Sequence, residues 1–167
     1  MDPTVAAGLI GASAAILGAG VAGVTSFAIE GRRSRENAEE AHRAELRRAC
    51  SDFTAAIARI RSGSYALSSD PAARSVISSG MDEARAGCER LRILVNDSAT
   101  QHSARMALRH AFAIWKLAET GNDPRAGQYP GKNPHTRLRE ELTKLYVGVR
   151  RELGVKSPED VFEELDD

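Results

Sequence analysis

Histidine and cysteine are the residues of this chain best suited to bind a metal or to act as nucleophiles. The four histidines include no pair at i,i+3 or i,i+4, the spacing that places two imidazoles on one helical turn. His102 and His110 are eight residues apart, which is too far for them to share a metal ion. A Glu-x-x-His motif occurs once, at Glu39–His42, whereas a di-iron bundle uses two such motifs, so a di-iron bundle is unsupported. We therefore predict no metal and no cofactor.

The two cysteines, Cys50 and Cys88, both lie on apolar stripes of predicted helices. Because a free thiol in a protein core behaves as a small hydrophobic side chain, we predict that both are buried. A hairpin that turns near residues 66–67 would place Cys50 level with residue 83 rather than with Cys88. This register disfavours a disulfide, as does a reducing cytoplasm.

One glycine motif could indicate a nucleotide-binding site, because Gly18–Gly23 matches the dinucleotide-binding pattern G-x-G-x-x-G. That pattern is informative only between a strand and a helix, with an acidic residue about 20 residues further on. Glu39 and Glu40 stand near that distance, but they lie in a highly charged segment, and no later segment resembles a buried parallel strand. A P-loop and a nucleophile elbow are also lacking. We predict that the chain is not an enzyme.

The first long apolar segment is residues 5–29, which contain no charge over 25 residues. As a helix this segment would be about 37 Å long, enough to cross a hydrocarbon core of about 30 Å. No basic residue precedes it, which disfavours a cleavable signal peptide, and Arg32, Arg33 and Arg35 follow it. The positive-inside rule then predicts a bacterial inner-membrane helix, with residues 1–4 outside and the C-terminal domain in the cytoplasm.

Small residues recur at four-residue spacing within this predicted transmembrane helix. Gly11 with Ala15, and Gly18 with Ala22, are small-xxx-small pairs, which let two helices approach closely in lipid. We therefore predict contact with the lipid bilayer and a homo-oligomer formed through this helix. The alternative is a simple Ala- and Gly-rich anchor, because such pairs are frequent in Ala-rich spans.

From residue 30 onward, the sequence has the apolar periodicity of amphipathic helices. Apolar residues recur at alternating spacings of three and four, and no segment has the two-residue alternation of an exposed strand. The predicted fold is all-α, with the N-terminal transmembrane helix continuing into an antiparallel four-helix bundle. The predicted cytoplasmic bundle is residues 30–154, with helices at about 32–62, 71–96, 98–119 and 135–153, followed by an acidic tail with a short helix at 155–167.

Polar residues and glycine mark the predicted boundaries of these helices. Asp70 and Pro71 have the residue types of an N-cap and a first helical residue, which predicts the start of the second helix. Ser98 and Gln101 fit a capping box at the start of the third helix. Gly80 is a weak point within the second helix, where the helix could bend.

The formal net charge is zero, with 23 basic and 23 acidic residues, but the charges are unevenly distributed. Residues 100–139 hold seven Lys or Arg and two acids, whereas the last eleven residues hold six acids and no base. We interpret four of these basic residues as an anion-binding face that the acidic tail could cover. The alternative is a solvated helix face. The four residues are Arg105, Arg109, Lys116 and Lys132.

The sequence resembles a group of uncharacterised bacterial membrane proteins. The similar features are the Ala- and Gly-rich N-terminal span, the following run of Arg and Glu, and the segments Arg47–Phe53, Arg90–Leu94 and Arg150–Gly154. An aromatic residue is common in that group where Cys50 stands here. The resemblance covers most of the chain and implies a single-pass anchor with a cytoplasmic helical domain, without implying an activity.

Together these features predict a membrane-anchored helical module for interaction or assembly, with an unknown cytoplasmic protein as its partner. The alternative is a regulator or defence-type protein that uses the basic face to bind an anionic ligand, a lipid headgroup or nucleic acid. No motif in the sequence indicates binding to nucleic acid.

Overall fold

The computed structural model describes the backbone of residues 3–155 and the side chains of residues 30 and 32–155. The chain divides into two compact units, Met1–His42 and Arg43–Asp167. Within the described residues there are four α-helices and no strand, which confirms the predicted all-helical bundle. The elements are α1 (Pro3–Ala66), α2 (Ala73–Leu94), α3 (Ser98–Thr120), a 3₁₀ turn (Ala126–Gln128) and α4 (Pro134–Glu152).

The predicted membrane segment, residues 5–29, belongs to α1, and its side chains lie outside the described part of the chain. Within the residues that the structure does describe, no helix combines the length and the apolar character needed to cross a membrane. The predicted external residues Met1 and Asp2, and residues 156–167 of the predicted acidic tail, also lie outside the described part.

The apolar stripes of all four helices meet in one core. Each stripe recurs every three or four residues, so it occupies one side of its helix and turns inward against the others. Burying a large apolar side chain contributes about 1.5–3 kcal/mol, so the stripes drive the assembly of the bundle. The largest apolar side chains that are almost completely buried are Phe53, Leu46, Ile57, Ile60, Ile77, Leu91, Ile114, Leu138 and Leu145.

Glycines allow α1 and α2 to pack closely as an antiparallel hairpin. A Cβ atom on Gly87 would lie 3.0 Å from the Cβ atom of Phe53, and one on Gly80 would lie 3.1 Å from Cγ1 of Ile60. Both pairs are centred on residue 70, which defines the centre of the hairpin. The expected weak point at Gly80 is therefore a close helix contact, and α2 continues through it without a break.

This hairpin register corrects the expected position of the cysteines. Because the turn is centred on residue 70 rather than on 66–67, Cys50 is nearly level with Cys88 along the hairpin. Both thiols are free and buried, as predicted, and burial raises the pKa of each thiol. A buried thiol with a raised pKa stays protonated and is a poor nucleophile.

The turn before α2 lies later in the chain than the sequence suggested, at residues 67–72 rather than 63–70. The carboxylate of Asp70 accepts a hydrogen bond from the backbone N–H of Ala72 at 2.8 Å, and α2 begins only at Ala73. Pro71 therefore belongs to the turn and is not the first helical residue, so this part of the prediction was wrong. Because α1 continues to Ala66 and α2 begins only at Ala73, the hairpin centre shifts from residues 66–67 to about residue 70.

The third helix is capped one residue earlier than the predicted capping box. Asp97, rather than Ser98, accepts a hydrogen bond from the backbone N–H of Thr100 at 3.0 Å. The side-chain amide of Gln101 does not turn back to the cap and instead donates to the carbonyl of Val95 at 2.6 Å. A carboxylate cap is favoured by the partial positive charge at a helix N-terminus.

Helices α3 and α4 also pack antiparallel, and their contact is closed at one end by Glu152. The Oε1 atom of Glu152 accepts hydrogen bonds from the backbone N–H groups of Asn96 and Asp97, both at 2.9 Å. One turn inward, Gly148 faces Thr100 so closely that a Cβ atom on Gly148 would lie 2.8 Å from the Cβ atom of Thr100. A glycine is therefore required where these two helices meet.

We expect Gly148→Ala to lower the free energy of unfolding by about 1–3 kcal/mol, because the added methyl group meets the buried Thr100 side chain. The better helix propensity of alanine, about 1 kcal/mol, offsets this loss only in part. Urea unfolding followed by circular dichroism measures the change. Gly127→Ala is the control, since nothing lies within 4 Å of an added Cβ atom there. Equal stability of the two variants would contradict the packing argument.

Candidate functional site

The loop between α3 and α4 is held in place by a buried ion pair between Arg137 of α4 and Asp123 of the loop. The side chain of Arg137 is 1% exposed, and its Nη1 donates a hydrogen bond to the carbonyl of Arg125 at 3.2 Å. Its guanidinium group also lies over the ring of Tyr129, 4.7 Å from the centroid. Three separate contacts from one side chain therefore anchor this loop to α4.

Arg125, on the same loop, is oriented by its neighbours. Its backbone N–H donates to Oδ1 of Asp123 at 2.9 Å, and its Nε and Nη2 atoms donate to Oε1 of Gln128 at 3.2 and 3.0 Å. Within the described part of the chain, its Nη1 atom is buried and has no hydrogen-bond partner. A buried donor without an acceptor costs free energy.

Arg125 forms one edge of a surface groove of about 500 Å³, which we call the arginine groove. This volume is in the usual range for small-ligand sites, about 300–1,000 Å³. Three different elements each supply one arginine to the groove, and apolar side chains of α2 and α3 form much of the remaining lining. Its lining residues are Met81, Arg85, Leu108, Arg109, Phe112, Pro124, Arg125 and Gln128.

Few carboxylates of the protein itself pair with the arginines of this groove. Arg109 is exposed and forms no ion pair within the residues that the structure describes. Arg85 pairs with Asp82 at 3.0 Å on an exposed stretch of α2, a type of contact that contributes about 0–1 kcal/mol. Among the described residues, no acidic side chain lines the groove. The combination of three guanidinium groups and an apolar surface suits a ligand that is both anionic and partly apolar.

The predicted anion-binding face is divided in the structure. Of its residues on α3, Arg109 lines the groove, whereas Arg105 is exposed outside it. Lys116 pairs with Glu119 at 2.7 Å, and its ammonium group lies 4.4 Å from the ring centroid of Trp115. The charge of Lys116 is therefore already compensated by its own helix.

Lys132, the fourth residue of the predicted face, pairs with Glu140 at 2.8 Å and does not line the groove. The structure instead brings Arg85 and Arg125 beside Arg109, and neither had been selected from the sequence. Arg85 belongs to another helix, and Arg125 belongs to a loop whose path no periodicity reveals. A signal that could have located Arg125 is its place among the turn-forming residues of the one long loop.

The residues predicted to pack and orient a membrane helix all belong to α1. Arg32, Arg33 and Arg35 are exposed, and Arg32 pairs with Glu36 at 2.8 Å. The side chains of the four small residues lie outside the described part of the chain. These are Gly11, Ala15, Gly18 and Ala22.

His110 is a buried titratable group of α3 that contacts the loop between α3 and α4. It packs edge-to-face against Tyr129, with ring centroids 5.2 Å apart. Burial lowers the pKa of His110 to about 4, and the charges of Arg137 and Arg125 lower it further than the opposing charges of Glu141 and Asp123 raise it. His110 is therefore a neutral imidazole near pH 7.

Comparison with protein-family models, with curated proteins and with solved structures finds no match for this chain. The resemblance to bacterial single-pass membrane proteins therefore rests on the sequence segments given above. Among the residues that the structure describes, no group of three His, Cys, Asp or Glu side chains is placed to hold a metal ion.

We expect Asp123→Ala and Arg137→Met each to lower the free energy of unfolding by about 3–5 kcal/mol, because each leaves one buried charge without its partner. The double variant should lose less than the two single losses added together, since it leaves neither charge behind. Urea unfolding measures all three. Glu140→Gln, which breaks the exposed pair with Lys132, is the control and should cost at most about 1 kcal/mol. Strict additivity would contradict direct coupling.

We expect the stability of the protein to fall between pH 6.5 and pH 4 through His110. In this window the unfolded chain binds a proton that the folded state excludes, so the stabilisation is complete above pH 6.5 and is lost as the pH approaches 4. The loss amounts to roughly 3 kcal/mol. His110→Gln should flatten this part of the stability-versus-pH curve, whereas the exposed His102→Asn should keep it. An unchanged slope in His110→Gln would show that other groups cause the pH dependence.

Proposed function

We propose that this chain is a helical interaction module that captures an acidic, partly apolar segment of a protein partner in the arginine groove. The supporting observation is the convergence of Arg85, Arg109 and Arg125 around apolar side chains. Guanidinium groups pair with carboxylates through charge-assisted hydrogen bonds, and the apolar surface favours a segment that also carries hydrophobic side chains. Such a segment uses both parts of the groove.

A protein segment fits this groove better than the other anionic partners that the sequence leaves open. A nucleic acid backbone offers phosphates to the arginines, but Met81, Leu108 and Phe112 offer it little. A lipid surface favours several basic residues exposed on one face, whereas Lys116 and Lys132 are each paired with a glutamate. These contacts favour the interaction module over a general anion-binding surface.

The proposal includes a membrane anchor at residues 5–29, supported by the length of this uncharged segment. The arginines at 32, 33 and 35 favour an inner-membrane location with the bundle in the cytoplasm. The small residues at 11, 15, 18 and 22 favour self-association within the bilayer. Anchoring and self-association together would present several grooves at one membrane surface and strengthen binding to a multivalent partner.

The last eleven residues of the chain are a defined probe for this groove. Residues 157–167 carry six acids and no base, together with Val161, Phe162 and Leu165. This segment has the acidic and apolar character that the groove is proposed to recognise. In the full chain it would also be a competitor, so its removal should expose the groove to other partners.

We expect a synthetic peptide of residues 157–167 to bind a chain that ends at Lys156, with an affinity that falls as salt rises from 0.05 to 0.5 M. Arg109→Gln and Arg125→Gln should each weaken binding about tenfold, since each removes a charged hydrogen-bond donor. Arg105→Gln changes the same charge one turn from Arg109 but outside the groove, and should have less than a twofold effect. Fluorescence anisotropy of a labelled peptide measures these affinities.

Three further comparisons are informative. Weaker peptide binding by the full chain would support masking by its own tail, and equal binding would exclude masking without affecting the groove. Equal losses in Arg105→Gln and Arg109→Gln would indicate a diffuse basic face instead of the groove. Binding to anionic vesicles or to an oligonucleotide, without binding to the peptide, would overturn the proposed partner class.

A further inference from the structure

A second groove lies between the last turns of α1 and one side of α4, and none of its features contributes to the function proposed above. Its volume is about 400 Å³, and it is lined by aromatic, basic and hydroxyl side chains of both helices. We call it the aromatic groove. The residues that matter for its chemistry are Arg61, Tyr65, His135, Arg139, Thr143 and Tyr146.

The aromatic groove contains a preformed flat surface. The rings of Tyr65 and His135 are stacked, with centroids 5.3 Å apart and planes inclined by 10°. The phenolic oxygen of Tyr65 and Nδ1 of His135 are 3.3 Å apart, within hydrogen-bond distance. A long-range contact between α1 and α4 therefore fixes the orientation of the Tyr65 ring.

The two tyrosines of the aromatic groove are unusually exposed for aromatic side chains. Tyr65 is 68% exposed and Tyr146 is 46% exposed, and neither belongs to the hydrophobic core. Core packing therefore does not explain why tyrosine stands at these two positions, since a large part of each side chain is exposed to solvent. Exposed aromatic side chains that flank one groove are typical of a binding surface.

Two arginines complete the chemistry of the aromatic groove. Arg61 comes from α1 and Arg139 from α4, and neither forms an ion pair within the part of the chain that the structure describes. His135 adds no positive charge near pH 7, because burial and then the charge of Arg61 lower its pKa. The groove therefore offers two guanidinium groups beside a neutral stacking surface.

We propose that the aromatic groove binds a nucleoside phosphate, with the base stacked on Tyr65 and the phosphates bound by Arg61 and Arg139. Aromatic rings stack on any nucleobase, and arginine binds phosphate oxygens through two parallel hydrogen bonds. Inorganic phosphate would use the arginines but not the rings, and an uncharged aromatic ligand would use the rings but not the arginines. A nucleoside phosphate uses both, and a groove of about 400 Å³ is in the range of small-ligand sites.

The test uses the full chain, purified in a mild detergent, and ATP with a fluorescent ribose label as the probe. Unlabelled ATP, tripolyphosphate and adenosine compete in separate titrations. ATP is expected to compete at least tenfold better than either fragment, because only ATP uses the rings and the arginines together. Tyr65→Leu and Arg61→Gln should each weaken ATP binding at least fivefold. Arg47→Gln, an exposed change elsewhere on α1, is the matched control and should bind ATP normally.

Four outcomes would overturn the proposal. They are an absence of binding at 1 mM ATP, equal competition by tripolyphosphate and ATP, unchanged ATP affinity in Tyr65→Leu, and binding of a single-stranded oligonucleotide without binding of ATP. Thermal unfolding of each variant shows whether its fold is intact. Because Tyr65 is largely exposed, its variant should unfold close to the wild-type temperature. These results do not depend on Arg109 or Arg125, so they are separable from the test of the arginine groove.

Discussion

The buried pair between Arg137 and Asp123 is the interaction on which the shape of the loop between α3 and α4 depends. Asp123 alone would cap a flexible turn, and Arg137 alone would be a costly buried charge. Together they fix the backbone at Arg125, whose side chain then forms one edge of the arginine groove. A candidate binding site on the surface is thus positioned by an ion pair beneath it.

The other two arginines of that groove depend on how the helices pack. Gly80 and Gly87 let α2 approach α1 closely, and this contact sets the position of α2 along the bundle. Arg74 near the start of α2 lies 4.0 Å from Glu119 near the end of α3, so α2 and α3 are also antiparallel. Arg85 and Arg109 become neighbours as a result of this alignment. Gly80 and Gly87 therefore contribute indirectly to the position of Arg85 in the arginine groove.

The two grooves differ in the chemistry that they offer. The arginine groove combines three guanidinium groups with aliphatic and aromatic carbon, whereas the aromatic groove places two arginines beside exposed, oriented rings. A neutral total charge conceals both grooves, because Lys116, Lys132 and Lys144 are each paired with a glutamate, whereas Arg61, Arg109 and Arg139 form no ion pair within the described residues. The distribution of unpaired arginines is therefore a better guide to binding surfaces than the net charge.

The number of helices and the buried positions of both cysteines could be predicted from the sequence, because apolar periodicity reports which side of a helix faces inward. The sequence also indicated that basic residues near α3 deserved a functional interpretation, and Arg109 was among them. It did not reveal that Lys116 and Lys132 are paired, that Arg85 and Arg125 join Arg109, or that Tyr65 stacks on His135. Nor did it predict the hairpin centre at residue 70. Only the tertiary structure decided these points, since each depends on contacts between residues far apart in the chain, whereas periodicity and helix caps are local.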